Sequence, residues 1–199
     1  MIKQIIKSTI CALLLLFAAS CSNQPQNPNL VVYFSRAGHN YPDPNGKPLD
    51  KGHTAVLAEI IAEVANTDTF QIIPVAPYPE NYKECVAIAR HELDSNALPE
   101  YVGDIDIDNY TTIFIGYPIW HGEMPQIVKH FIERHNFNGK NVIPFCTHHG
   151  SGLGNSVDEM RKMLPNASVF SGFALWDTEA DKQKSTQKVQ EWIESISEN

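Results

Sequence analysis

Basic residues are scarce. Fifteen lysines and arginines stand against 23 aspartates and glutamates, a formal charge of −8 over 199 residues. That balance argues against binding nucleic acid or an anionic membrane surface through charge. Cysteine is scarcer still, at four. No CxxC or HExxH spacing occurs, so a metal centre has no sequence signal. No apolar run reaches the roughly 18 residues of a membrane-spanning helix. No G-x-G-x-x-G opens a helix, and Gly150-Ser-Gly-Leu-Gly154 has the wrong spacing, so a nicotinamide Rossmann domain is unsupported. There is no G-x-x-x-x-G-K-[ST], and Ser151 and Ser156 each lack a glycine of the G-x-S-x-G hydrolase elbow. Asp104-Ile-Asp-Ile-Asp108 starts like a calcium loop, but Asn109 replaces its glycine and Ile115 its bidentate Glu.

What is present begins with a leader. Lys3 and Lys7 precede an apolar run of ten residues, Ile10 to Ala19, and the run ends in Ala18-Ala-Ser20-Cys21. The pattern is that of a bacterial export signal over residues 1–20, with small residues before Cys21 in the manner of a lipobox. Two outcomes follow from it: a lipid on Cys21, which anchors the chain to a membrane, or plain cleavage after Ser20, which releases it. Loss of Lys3 and Lys7 lowers the 15 basic residues to 13 against 23 acidic ones, a charge of −10. Residues 21–29, polar and holding Pro25 and Pro28, form a tether, and 30–199 are left for one domain. Hydrophobic content of 43% and charged content of 19% suit a globular fold. Cys85 and Cys146 remain after the leader. They are expected as separate thiols, in a helix and at a strand end, with a disulfide as the alternative in an exported protein.

Within the domain, strand and helix patterns alternate. Leu30–Phe34 is a continuous apolar run, as a strand buried on both faces requires. Thr54–Val64 has helical spacing with Thr54 as its N-cap. Strands are expected over 69–74, 111–116, 141–146 and 168–174, and helices over 80–96, 124–134, 156–164 and 181–196. Five strands alternating with five helices predict an α/β, doubly wound parallel sheet with helices on both faces. In such sheets ligands bind beyond the carboxyl ends of the strands. Three loops meet there.

The first loop carries Ser35, Arg36 and Ala37 and, across a Pro/Gly/Asp-rich excursion from His39 to His53, Thr54. Hydroxyls and backbone N–H groups at a helix start suit a phosphate, and Arg36 offers a charged donor or a flat surface for a ring. The helix start is either Gly38-His-Asn40 or Gly52-His-Thr54, the second register fitting the apolar stripe better. The second loop, Tyr117-Pro-Ile-Trp-His-Gly-Glu-Met-Pro125, offers Trp120 as a stacking face. The third, Thr147-His-His-Gly-Ser-Gly-Leu-Gly154, allows close backbone approach to a ligand edge.

With Phe34-Ser-Arg-Ala-Gly38…Thr54, Gly116-Tyr-Pro-Ile-Trp-His-Gly122 and Phe145-Cys-Thr-His-His-Gly-Ser-Gly152 in order, the chain resembles the flavodoxin-like family. The resemblance spans about Leu30 to Ala174 and implies strand order 2-1-3-4-5 and non-covalent FMN. It implies that Ser35, Arg36, Ala37 and Thr54 hold the phosphate. Pro118, Ile119, Trp120, His121 and Gly122 would border the ring on one side, and Thr147, His148, Gly150, Ser151 and Gly152 on the other. The implied activity is an FMN-dependent oxidoreductase or electron-transfer protein of the bacterial cell envelope. Its partners would be a redox protein or a small acceptor such as a quinone. A pure electron carrier and a flavin-free binding module are the alternatives. No catalytic side chain and no metal ligand is assigned.

Overall fold

The computed structural model describes residues 28–43 and 46–197. The leader 1–20, Cys21 and the tether up to Gln26 and Asn27 lie outside the described residues. The elements are β1 (Asn29–Tyr33), α1 (His53–Ala65), β2 (Asp68–Gln71), β3 (Ile73–Pro74), α2 (Tyr82–Ser95), β4 (Tyr101–Val102) and β5 (Thr112–Pro118). They continue with α3 (Gln126–Arg134), β6 (Asn141–His148), α4 (Ser156–Met163), β7 (Ser168–Val169), β8 (Phe173–Trp176) and α5 (Lys182–Ser197).

The main sheet runs β2-β1-β5-β6-β7, with β8 also on β6, and every pair is parallel. Counting β7 and β8 as two pieces of one strand gives the order 2-1-3-4-5. Alternate residues of the central strands feed two cores, because a strand turns successive side chains to opposite faces. Leu30, Val32, Ile113, Ile115 and Val142 join α3 and α4 through Ile127, Val128, Phe131 and Met160. Val31, Phe114, Ile143 and Phe145 join α1 and α5 through Leu57, Ile60, Ile61 and Val189. Each fully buried Leu, Ile, Val or Phe contributes roughly 1.5–3 kcal/mol. Both faces are therefore covered, as a parallel sheet demands.

Two strands end or break earlier than expected. The second ends at Gln71, the last residue paired with β1. Ile73 and Pro74 leave the sheet to pair antiparallel with Val102 and Tyr101. Pro74 has no N–H to continue a ladder. The fifth strand is split, and the cause lies in its neighbour. Phe170 N–H donates to the Val142 carbonyl, so Val142 and, two residues on, position 144 turn their backbone groups toward this edge. Position 144 is proline. Without its N–H the ladder breaks, and the edge strand detours through Gly172, at φ +83, where a Cβ would lie 2.6 Å from the Pro144 carbonyl. β5 and β6 run further than expected, to Pro118 and His148. The second and third loop motifs therefore begin on strands.

Candidate functional site

The site starts where β1 ends. The excursion closes on itself at its base: Gly38 and Leu49 exchange both backbone hydrogen bonds, at 2.9 and 3.0 Å. The chain then returns to Gly52, packed so tightly on the first loop that a Cβ there would lie 2.2 Å from the Arg36 carbonyl and 2.4 Å from Ser35 Oγ. α1 starts at His53, which settles the register as Gly52-His53-Thr54. Thr54 is not its N-cap. Gly52 holds that position with extended backbone, and it has no side chain to cap with. Ser35 does the capping through space, its Oγ accepting the Ala55 N–H at 3.0 Å. Among the described residues, the backbone N–H groups of Ser35, Arg36, Ala37, His53 and Thr54 find no acceptor. Five open donors at a strand end and a helix start make a candidate anion cradle.

The side chain of Arg36 does not serve that cradle. Its fork donates to the carbonyls of Pro79 (2.6 and 3.2 Å), Glu80 (2.6 Å) and His39 (2.6 Å), and to Asn40 Oδ1 (2.9 Å). A guanidinium has five N–H donors, and all five are engaged. The expectation of a charged side-chain donor for the ligand is therefore corrected: Arg36 staples the first loop to the segment before α2, and only its backbone N–H stays open.

The hydroxyl of Thr54 meets that of Thr147 at 2.7 Å, both buried, joining the start of α1 to the end of β6. Ile119 N–H donates to the Thr147 carbonyl at 3.0 Å, joining β5's loop to the same residue. In the second loop Trp120 and Glu123 exchange two backbone bonds, leaving His121 (φ +52) and Gly122 (φ +84) at the tip. Positive φ at both tip residues marks a tight hairpin turn whose second position favours glycine. The Gly122 carbonyl accepts the Asn155 N–H at 2.8 Å, and a Cβ on Gly154 would strike that carbonyl. Loops two and three thus lock together backbone to backbone.

Trp120 is wedged edge-on between Phe34 and Tyr78, at ring distances of 5.3 and 4.9 Å. It borders a cleft also lined by Arg36, Thr54, Pro118, Ile119, His121, Thr147 and His148. Eight expected site residues are thus gathered in one place. Ser35 and Ala37 face a neighbouring depression with Pro77 and Tyr78. Gly122, Gly150, Ser151 and Gly152 do not line the cleft. Gly150 donates its N–H to His148 Nδ1 at 3.0 Å, and Gly152 accepts from Cys146 Sγ. These two bonds shape the third loop.

Sequence reasoning missed other lining residues. Tyr82, Cys85, Val86 and Ala89 form one stripe of α2, at helical spacing, and that stripe faces the cleft. The N-terminal half of α2 was the signal available for them. Tyr41 arrives from the excursion, and Asp177 follows β8 on the same edge. Asp177 holds His149 Nδ1 at 2.9 Å. Burial pushes His53 and His148 below the ordinary histidine value of 6.5, against the opposing pull of Asp177. Cys85 and Cys146 are separate, buried thiols with no disulfide between them. Among the described residues, no group of three or more His, Cys, Asp or Glu is placed to hold a metal ion. No helix of the described residues is long and apolar enough to cross a membrane.

The flavodoxin family matches residues 50–196. The chain belongs to the flavodoxin family. The match starts just before α1, so β1 and Ser35–Ala37 precede it. Two solved proteins assigned to the flavoproteins, from Bacteroides eggerthii and Bacteroides uniformis, are each 28% identical with TM-score 0.67. The first alignment covers 85% of this chain and 97% of that one; the second covers 84% and 98%. A flavoprotein from Lactobacillus acidophilus NCFM, solved in complex with FMN, shares the fold at 22% identity and TM-score 0.57, covering 79% of this chain and 97% of its own. No curated protein matches the chain. For a flavodoxin, the cleft lies where the fold rule puts it, beyond the carboxyl ends of β1, β5 and β6.

Proposed function

We propose that this flavodoxin binds FMN in the cleft and transfers electrons at the bacterial cell envelope, held there by a lipid on Cys21. The observation that carries the cofactor reading is the cradle. The open N–H groups of residues 35–37, 53 and 54 suit a phosphate dianion, and the bare backbone of Gly52 lets the helix start pack against the first loop. The FMN complex of the Lactobacillus relative supports the choice of cofactor. Pro118, Ile119 and Trp120 offer one wall for a planar ring, and Thr147 and His148 another. When bound, the flavin supplies the redox chemistry, and the protein supplies orientation, access and electrostatics. Thr54 and Thr147 fix the phosphate end relative to the ring end through their shared hydrogen bond.

A chain running from Ser22 to Asn199, titrated with FMN, is expected to quench flavin fluorescence at a one-to-one ratio and to develop the visible flavin bands. No quenching at any ratio would leave the flavin-free binding module as the better reading. The apolar stripe of α2 extends the cleft beyond loops two and three and favours turnover of a small planar acceptor, such as a quinone, over a carrier that meets only proteins. Anaerobic addition of NADPH and then a quinone separates these: bleaching and recovery at a catalytic rate supports the oxidoreductase, and an inert flavin supports the pure carrier. The envelope reading rests on the leader pattern and on Cys21. Labelled palmitate should enter the full chain and not its Cys21→Ser variant.

A further inference from the structure

The segment Pro77-Tyr78-Pro79-Glu80 lies between β3 and α2. It belongs to none of the three loops, yet it touches two of them. Arg36 of the first loop donates to its Pro79 and Glu80 carbonyls. The Tyr78 ring stands edge-on to Phe34 at 5.5 Å and 61°, and to Trp120 of the second loop at 4.9 Å and 83°. Its hydroxyl donates to Glu92 Oε2, in the last turn of α2, at 2.8 Å. The Glu92 carbonyl in turn accepts Gln126 Nε2 from the start of α3 at 3.1 Å. Glu92, Trp120, Met124 and Gln126 line one small cavity between α2 and the second loop. Burial pushes Tyr78 above the ordinary phenol value and Glu92 above the ordinary carboxylate value. The phenol therefore keeps its proton at neutral pH and stays a donor. An apolar side chain at position 92 would pack without the cost of drawing a carboxylate out of water. What Glu92 adds is direction, because it fixes the Tyr78 ring by its hydroxyl end.

We propose that Glu92 and Tyr78 are positioning residues for the cofactor cleft: Glu92 fixes Tyr78, and Tyr78 sets the orientation of Trp120 in the cleft wall. The effect on a ligand rests on the FMN reading. Neither residue lines the cleft itself, whereas Trp120 does. Glu92 therefore acts from a distance, through the Tyr78 ring. Loss of the hydrogen bond frees that ring to turn, and Trp120 loses the edge contact that fixes its own plane.

Two measurements on the chain from Ser22 to Asn199 test it. The first needs no cofactor. Trp120→Phe identifies the near-ultraviolet circular dichroism of Trp120 among the three tryptophans. Tyr78→Phe keeps the ring and loses the hydroxyl; it should change that band, and Glu92→Leu should change it in the same way. Glu92→Gln keeps an acceptor oxygen for the phenol and should leave the band as in the parent chain. The second measurement is FMN affinity by fluorescence quenching. Tyr78→Phe and Glu92→Leu should each weaken it about three- to tenfold, as loss of one aromatic edge contact implies, with Glu92→Gln within roughly twofold of the parent. The double variant of Tyr78→Phe and Glu92→Leu should bind like either single one, since both remove the same bond. Tyr78→Phe disturbs the packing least and decides the matter if Glu92→Leu does not fold. An unchanged Trp120 band in Tyr78→Phe, parent-like affinity in that variant, or a Glu92→Gln variant as weak as Glu92→Leu would each overturn the proposal. So would a lower urea midpoint with both readouts unmoved, which is what a merely structural pair would give. Failure of the FMN reading looks different: the parent chain would give no quenching, while the Trp120 band would still respond.

Discussion

His148 and His149 are neighbours in sequence held in opposite tautomers. Gly150 N–H donates to His148 Nδ1, so neutral His148 carries its proton on Nε2. The Asp177 carboxylate faces His149 Nδ1, so neutral His149 carries its proton there. One imidazole therefore presents a donor and the other an acceptor on Nε2, for which the described residues supply no hydrogen-bond partner. His148 is also buried, and burial holds it, like His53, below the usual histidine range.

That depression has a pH signature. Between the folded value and 6.5, the unfolded chain binds protons that the folded chain refuses, so stability rises with pH in that window. The contribution of His53 and His148 is present in full above about pH 6.5 and is lost as pH falls below it. The urea midpoint should be level from pH 8 to 7 and decline from 6.5 to 5. In His148→Gln the decline should be shallower. A midpoint that does not move over this range would show that neither histidine is linked to folding.

The Thr54–Thr147 hydrogen bond should show the asymmetry of buried polar pairs. Thr54→Val leaves the Thr147 hydroxyl buried without its partner, which costs about 1–3 kcal/mol. Changing both to valine removes the orphan and should recover most of that loss. Denaturant melts of the two single variants and the double variant measure the coupling. Strict additivity would mean that the two hydroxyls are independent.

Gly52 and Gly139 separate steric need from conformational need. A methyl group at Gly52 would overlap the Arg36 carbonyl and Ser35 Oγ, whereas at Gly139, with φ +73, it meets nothing within 4 Å. Gly52→Ala is expected to destabilise the fold by about 1–3 kcal/mol and to weaken FMN binding at least tenfold by pushing the cradle apart. Gly139→Ala should cost about 1 kcal/mol and leave FMN binding alone. Comparable FMN affinity in both variants would argue that the cradle does not depend on Gly52.

Lys129, largely buried, sits between Glu123 and Glu159 and ties α3 to the second loop and to α4. Lys129→Met strands two carboxylates that are each about a quarter exposed (28% and 27%). A loss on the order of 2 kcal/mol is expected, less than for a fully buried pair. Because Glu123 closes the hairpin with Trp120, FMN affinity should fall too. Adding Glu123→Gln and Glu159→Gln should restore stability. Calorimetry of the single and triple variants decides it.

Burial pushes the Cys146 thiol up to about 12 and raises that of Cys85 as well. Thiolates are the reactive species. A chain starting at Ser22 should resist an aromatic disulfide reagent at pH 8 while folded and yield two thiols in denaturant. Rapid modification of the folded protein would contradict the buried placement of both.

What the sequence by itself determined is what depends on short-range pattern. A continuous apolar run marked β1, 3.6-residue spacing marked α1, their alternation along the chain marked a parallel sheet, and the strand-end rule then put three loops on one edge. Thr54, with the stripe that follows it, identified the second register of the helix start. Tertiary structure decided everything whose cause lies far along the chain. The fifth strand breaks because residue 144, on its neighbour, has no N–H, and nothing within 168–176 records this. Arg36 looked like a ligand donor because its acceptors, the carbonyls of Pro79 and Glu80, are more than forty residues away. The amphipathic stripe of α2 reads the same whether it faces a core or a cleft. Tyr78 joined Trp120 and Glu92 only when α2 folded back against the second loop. Local sequence sets which conformations a segment prefers; which donors meet which acceptors is set by packing between segments.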